Sequence, residues 1–271
     1  MTISRFSALA ASLALTTLLA VGCKKDKDNE PTGTGSVSLE MQSVVGTLPL
    51  ALSTQTYTTA AGDAFKVDIF KYYVSNVELQ KTDGTYLALP NTYFLVDESA
   101  PASTSLPLSD VPAGDYTGLR FVVGVDSART KAGTLTGVLA SGQNMWWAWT
   151  DEFINLKLEG TSPQSPRGGL VFHLAGYKGA NGTRTTMRTV ALPFPNGAKL
   201  LVRANQEPEV HLYADVLGLF SGPNPVRFAT TSNAMSTTLM PNAPAGARTT
   251  VQLADNVAAG MFRIDHIHAS H

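Results

Sequence analysis

Short runs of alternating or β-branched residues, each ended by turn residues, constrain the fold of this chain more than any other feature. Residues 37–41 alternate between apolar and polar side chains, and residues 65–74 are rich in β-branched and aromatic types. Asp83-Gly84 then leads into residues 86–89, which is the pattern of a β-hairpin. Strands repeated at this spacing predict an all-β fold, an antiparallel β-sandwich that is immunoglobulin-like and has little helix. Further strands are predicted at residues 77–80, 93–96, 116–125, 153–158, 169–174, 185–192, 199–203 and 209–217.

One segment near the end of the chain has helical spacing. Between residues 249 and 259, the side chains of Val251, Leu253 and Val257 fall roughly on one helical face. Residues 261–268 follow it and alternate like a last strand. The sequence has neither an internal repeat nor a long linker after residue 36, so residues 37–271 are predicted to form a single domain.

The N-terminus has the pattern of a lipoprotein signal. Arg5 supplies a positive charge, and the apolar run over residues 8–21 is too short to span a bilayer comfortably. The segment from Ala20 to Cys23 resembles a lipobox, with Ala20 in place of the usual leucine. An ordinary secretory signal with a chance cysteine is the alternative. Because Cys23 is the only cysteine in the chain, we predict that residues 1–22 are removed and that Cys23 is acylated.

Residues 23–36 are predicted to be a flexible tether, because they are polar, charged and rich in glycine. Lysines and acidic residues directly after the cysteine resemble the leaders of surface lipoproteins in Bacteroidota-type bacteria. The expected location is therefore the outer membrane, with the domain facing the periplasm or the cell surface on a lipid anchor. Without a second cysteine no intrachain disulfide can form, so stability must come from a hydrophobic core.

Charge and motifs exclude several classes of function. The formal net charge is −1 and no basic stripe is present, so nucleic acid is not a predicted partner. The sequence lacks a nucleophile elbow, a phosphate-binding glycine loop and a His-Glu-x-x-His zinc motif. Residues 126–129 are polar and compact, and they are explained as a turn capped by Asp126. We therefore expect that the chain is not an enzyme.

All three tryptophans lie between residues 146 and 149. In an extended segment, Trp147 and Trp149 share one face and Trp146 points to the other. One explanation is a core anchor next to a surface aromatic residue. The other is a functional site, which would be a stacking platform for a glycan, an apolar wall beside a metal ion, or a tryptophan that becomes oxidised.

Three of the five histidines fall in the last six residues, at His266, His268 and His271. In a strand, His266 and His268 project from the same face and can converge on one ion, whereas a helix would point them apart. Imidazole suits both copper and zinc, and spacing alone does not distinguish the two. The alternative is a polar chain end whose histidines face water. His173 and His211 lie within predicted strands, where each is either structural or a further ligand.

Four segments resemble the MbnP-like proteins, which are exported copper-binding proteins related to methanobactin-associated and surface copper-acquisition proteins of methanotrophs. Their order and spacing match through the middle of the chain. Shorter segments at residues 73–77, 94–97 and 266–268 are similar to members from Bacteroidota. The four central segments are residues 121–129, 145–149, 156–163 and 172–177.

The resemblance implies a β-sandwich that binds copper, as Cu(I), and a di-haem cytochrome c peroxidase-like partner that oxidises a tryptophan to kynurenine near the metal. Trp147 and Trp149 match the Trp-x-Trp of the family, whereas Trp146 stands where phenylalanine is more usual and receives no role. His173 matches the Phe-His-x-x-Gly-Tyr motif.

From the spacing and the resemblance together, we expect copper at His266 and His268, with His173 or His211 as a further ligand. Trp147 or Trp149 is expected to lie beside the metal. The alternative function is a surface glycan-binding or structural β-sandwich module that uses the tryptophan cluster as a stacking platform.

Overall fold

Two β-sheets enclose the main hydrophobic core of the chain. The computed structural model describes Met1 and residues 31–177, 185–239 and 241–269. The predicted signal peptide, Cys23, the tether up to residue 30 and His271 lie outside the described residues. Residues 31–271 form one compact unit.

Strands dominate the described residues, which confirms the predicted all-β class. Three short α-helices are described, α1 (Ser127–Ala132), α2 (Leu217–Phe220) and α3 (Thr250–Gly260). No helix in the described part of the chain is both long enough and apolar enough to cross a membrane. The sixteen described strands, β1 to β16 in chain order, are Thr34–Val45, Leu48–Pro49, Tyr57–Thr58, Ala64–Lys81, Tyr86–Ala88, Tyr93–Asp97, Ser105–Pro112, Gly114–Val123, Trp146–Trp147, Glu152–Thr161, Gly169–Ala175, Arg188–Pro193, Leu200–Val202, Glu209–Asp215, Asn233–Ala234 and Phe262–His268.

The smaller sheet joins the two ends of the described chain. β14 lies between β1 and β16, and β1 pairs on its other side with β2 and β7. The β1–β14 pair is parallel, with Glu40 opposite His211, whereas the β14–β16 pair is antiparallel. The predicted antiparallel order therefore holds for most of the fold but not for β1 and β14, whose connection runs through the strands of the other sheet. A second parallel pair joins β11 to β15.

The larger sheet has the order β12-β8-β4-β10-β11-β15, and the long strand β4 also pairs with β3, β5 and β6. Its inner face packs on the smaller sheet through aromatic contacts. The ring of Phe262 on β16 meets Tyr72 on β4 at 5.5 Å and Phe121 on β8 at 5.2 Å, both edge-to-face. Such pairs add to the free energy gained by burying the rings, so the two sheets are held face to face as a sandwich.

The outer face of the larger sheet carries a second apolar cluster. Tyr73 is as fully buried as its neighbour Tyr72, although consecutive strand residues point to opposite faces. Tyr73 packs with Val125, Met145, Trp147 and others in this cluster. The segment between β8 and β10 therefore covers part of the outer face and fixes the position of the tryptophans.

The predicted elements near residue 250 and at Asp126 are close to those observed. Thr249 caps α3, accepting a hydrogen bond from the backbone N–H of Gln252, whose side chain accepts one in return from the N–H of Thr249. Asp126 caps α1 by accepting from the N–H of Arg129, so the predicted capped turn is the start of a short helix. The first strand begins at Thr34, inside the predicted tether.

Candidate metal centre

Three histidines converge on the outer face of the smaller sheet. His211 on β14 stands directly opposite His266 on β16, and His268 lies two residues further along β16. The rings of His211 and His266 stack, with centroids 4.4 Å apart, while the ring of His268 meets both edge-on at 5.0 Å and 4.5 Å. The strand pairing thus brings together residues that are far apart in sequence.

A β-bulge in β16 aims the two terminal histidines at this face. Leu212 pairs with Ile264 and His211 pairs with His266, so Asp265 is the extra residue. Regular alternation from the buried Phe262 would turn His266 towards the core. The extra residue reverses the alternation of inward and outward side chains after Ile264. Ile264 and Ile267 therefore both pack on the core, while His266 and His268 point outward.

The nitrogen atoms of the three rings are close enough to share one ion. One ligand nitrogen from each of the three residues lies within 4.8 Å of the other two, and Nε2 of His266 is 2.8 Å from Nε2 of His268. Nitrogens bound to one ion at about 2.0–2.1 Å lie at most about 4.2 Å apart. Three imidazoles on one ion at that bond length have nitrogens about 3.3–3.6 Å apart, and rotation of the partly exposed side chains of His211 and His266 can bring the three nitrogens to that spacing.

Carboxylates lie behind two of the rings. Oδ2 of Asp265 is 2.6 Å from Nδ1 of His266, and Oε2 of Glu209 is 3.4 Å from Nε2 of His211. A proton on Nδ1 of His266 satisfies Asp265 and leaves the Nε2 lone pair directed at the cluster. This carboxylate–histidine arrangement is the one that commonly orients metal ligands. Three imidazoles with a carboxylate behind them fit copper or zinc by donor type.

The tryptophans and His173 form a different cluster on the larger sheet. Trp147 and Trp149 stack with ring centroids 4.9 Å apart, and Trp147 lies 6.0 Å from the ring of His173 on β11. Trp147 is buried whereas Trp149 is 71% exposed. Trp146 instead packs edge-on against Phe153. Only Trp146 and Trp147 are in a strand, so the stacking of Trp147 and Trp149 arises from the turn that follows.

His173 is buried and held by one carboxylate. Its Nε2 is 2.8 Å from Oε1 of Glu159, and its Nδ1 is buried with no hydrogen-bond partner among the described residues. Burial lowers the pKa of the His173 imidazole, because it disfavours the charged ring more than Glu159 favours it, and the nearby Lys157 acts in the same direction as burial. The imidazole of His173 is therefore uncharged near pH 7.

The structure divides the predicted site residues into two groups. His211, His266 and His268 come together on the smaller sheet, while His173, Trp147 and Trp149 lie together on the larger sheet. The tryptophans are thus beside His173 rather than beside the three-histidine cluster. Sequence reasoning missed Asp265, although the apolar spacing of three between Ile264 and Ile267 is a signal of a bulge in a strand.

The family of this chain is identified by one family model. The family model described as MbnP matches residues 34–240. Among solved structures, the chain is similar to MbnP from Methylosinus trichosporium, with 15% identity, a TM-score of 0.48 and coverage of 88% of this chain and 99% of that chain. No curated protein matches the sequence. His173, His211 and the tryptophans lie inside the range that the family model matches, whereas His266 and His268 lie beyond it.

Proposed function

The chain belongs to the MbnP family, and from that premise we propose that it is an exported, lipid-anchored protein that binds one copper ion through His211, His266 and His268. The observation that carries the proposal is the convergence of three imidazoles whose ligand nitrogens lie within 4.8 Å of one another. The proposed role is binding rather than catalysis. Bound copper, as Cu(I), would supply a redox-active centre.

The choice of copper over zinc rests on the family and not on the ligands. Imidazole binds either metal, so the donor type alone does not choose between them. The resemblance of the central segments to exported copper-binding proteins points to copper. The open, partly exposed position of the cluster is suited to taking up an ion from outside the cell.

Oxidation of a tryptophan to kynurenine by a di-haem cytochrome c peroxidase-like partner is the second part of the proposal. Trp149 offers an exposed indole that a partner can reach, and it stacks directly on the buried Trp147. Trp147 in turn neighbours His173. We therefore assign the oxidation to this cluster on the larger sheet, separate from the three histidines.

A glycan-binding module remains the rival function, because the exposed face of Trp149 is also what a sugar-stacking platform requires. Tryptophan fluorescence separates the two functions. Under the copper proposal, soluble oligosaccharides leave the emission unchanged. A saturable change on adding sugar that disappears in Trp149→Ala would favour the glycan-binding module.

Metal analysis tests the copper site. Protein purified from its native compartment should carry one copper per chain, and the double variant His266→Ala with His268→Ala should carry none while keeping the circular dichroism spectrum of the parent. The matched control is His173→Ala, which should retain the metal. Full copper occupancy in the double variant, or its loss in the control, would move the site to the cluster of His173 and Trp147.

Mass spectrometry of the intact protein and of its proteolytic peptides, from the same samples, tests the oxidation. Conversion of tryptophan to kynurenine changes the mass of the peptide that holds Trp147 and Trp149, and Trp149→Phe with Trp147→Phe should abolish that change. An unmodified peptide from protein made together with its redox partner would contradict this part of the proposal and leave the copper site untouched.

A further inference from the structure

A row of charged side chains crosses the outer face of the larger sheet. Asp97 on β6 pairs with Lys71 on β4, Lys71 pairs with Lys157 on β10, and Lys157 pairs with His173 on β11. Directly paired residues have Cβ atoms about 4.5–5.5 Å apart on the same face. The two lysines are therefore immediate neighbours.

These two lysines are unusually buried for cations. Their side chains are only 17% and 11% exposed, for Lys71 and Lys157 respectively. Like charges directly opposite each other destabilise a sheet, and buried charges need partners. A pair of ammonium groups in this position requires negative charge nearby.

Lys71 lies closer to a carboxylate than Lys157 does. Nζ of Lys71 is 2.6 Å from Oδ2 of Asp97. In the described part of the chain, the carboxylate paired with Lys157 is Glu159, at 3.6 Å, and the same oxygen lies 2.8 Å from Nε2 of His173. Lys157 thus shares its acid with a histidine and holds it beyond normal hydrogen-bond distance.

A cavity of about 300 Å³ opens onto both lysines. Asn144, Trp146, Trp147 and two isoleucines complete its lining, so polar and apolar residues surround the same space as the two lysines. The volume is at the lower end of the range for small-molecule sites. Such a cavity has the charge for an anion and the apolar wall for a small body attached to it.

We propose that this cavity binds a small organic anion, a carboxylate with an apolar body about the size of benzoate. The carboxylate accepts hydrogen bonds from Nζ of Lys157 and Nζ of Lys71. Lys157 thereby gains an anionic partner at hydrogen-bond distance, which Glu159 at 3.6 Å does not provide. The apolar body lies against Trp146 and Trp147. The site is on the other sheet from the three histidines and does not depend on copper.

Calorimetric titration of the purified full chain with sodium benzoate, at constant ionic strength, tests the proposal. One benzoate should bind per chain, and acetate should bind at least several-fold more weakly because it lacks the apolar body. Lys157→Gln should weaken benzoate binding by about 10- to 100-fold, since it removes a charged hydrogen-bond donor. The matched control is Lys131→Gln on the exposed face of α1, which should bind as the parent does.

Lys157→Gln relieves a like-charge contact and should therefore fold, which thermal unfolding checks. Trp146→Leu provides an independent variant that should reduce the preference for benzoate over acetate. Three outcomes would overturn the proposal. These are no benzoate binding, equal binding in Lys157→Gln and the parent, and inorganic phosphate binding as tightly as benzoate, which would indicate a site for anions in general.

Discussion

His211 and His266 face each other across the β14–β16 ladder with their imidazole planes only 9° from parallel. Both rings also meet the edge of His268, so the three imidazoles lie next to one another in the absence of a metal ion. Ligands that are already held in place lose little conformational freedom when they bind. The antiparallel pairing of two strands is therefore what organises the proposed copper site before the ion arrives.

Asp265→Asn should weaken copper binding without dispersing the histidines. The carboxylate of Asp265 contacts Nδ1 of His266, and loss of such an outer carboxylate typically costs about 10- to 100-fold in metal affinity. Competition against a chelator of known affinity measures the change. Asp83→Asn, in an exposed turn, is the control and should bind copper like the parent. Equal affinity for both variants would show that Asp265 does not orient His266.

The stability of the metal-free protein should fall as the pH drops below about 6.5, partly because of His173. Its pKa is lowered in the folded state, chiefly by burial, whereas the unfolded chain has the ordinary value of about 6.5. Between those two values the unfolded state binds more protons, so acid favours unfolding. The contribution is complete above the unfolded pKa and is lost as the pH falls from there towards the folded pKa.

Urea unfolding at pH 7 and pH 5 measures this effect. His173→Gln should lose less stability between the two pH values than the parent does. Thr82→Ala, a change at an exposed turn residue, is the control and should leave the difference as it is. An unchanged pH dependence in His173→Gln would mean that this imidazole is protonated equally in both states.

Asn155→Ala should destabilise the outer-face cluster. The side chain of Asn155 is buried, accepts a hydrogen bond from the N–H of Val125, and donates to the Gly176 carbonyl and the Thr186 hydroxyl. Leaving such groups without partners costs about 2–4 kcal/mol in the free energy of unfolding. Denaturant unfolding checks it, with the exposed Asn242→Ala expected to change the free energy by less than about 0.5 kcal/mol. A similarly small effect at Asn155 would contradict its structural role.

Cys23→Ser should release the protein from the membrane fraction, because Cys23 is the only thiol available for acylation. Two or more acyl chains on this one residue are enough to anchor a protein stably without a membrane-spanning helix. Immunoblotting of membrane and soluble fractions measures the release. Replacing Ser36 with alanine serves as the control for handling losses. Retention of the serine variant in the membrane would show that something other than this cysteine holds the protein there.

Local sequence patterns predicted the elements that depend on local interactions. The helix after Thr249 was predictable because its capping residue and its apolar face lie within a few positions of one another. The proximity of His266 and His268 was likewise readable from a two-residue spacing. The strand character of most β elements followed from alternation and turn residues.

Long-range pairing was not predictable from the same patterns. Nothing near His211 indicates that β14 will lie between β1 and β16, since the partners are set by which strands bury their apolar faces together. For the same reason the tryptophans were expected beside the terminal histidines, whereas β9 pairs with β10 and brings Trp147 to His173.

The bulge at Asp265 has a consequence beyond aiming the imidazoles. β16 lies at the edge of the smaller sheet, and β14 is its one partner strand among the described residues. An unpaired strand edge can recruit a second chain and start aggregation, and bulges and charged side chains are common protections against it. Arg263 and Asp265 on this strand are both exposed. The same extra residue therefore also helps to keep the strands of other protein molecules from pairing with this edge.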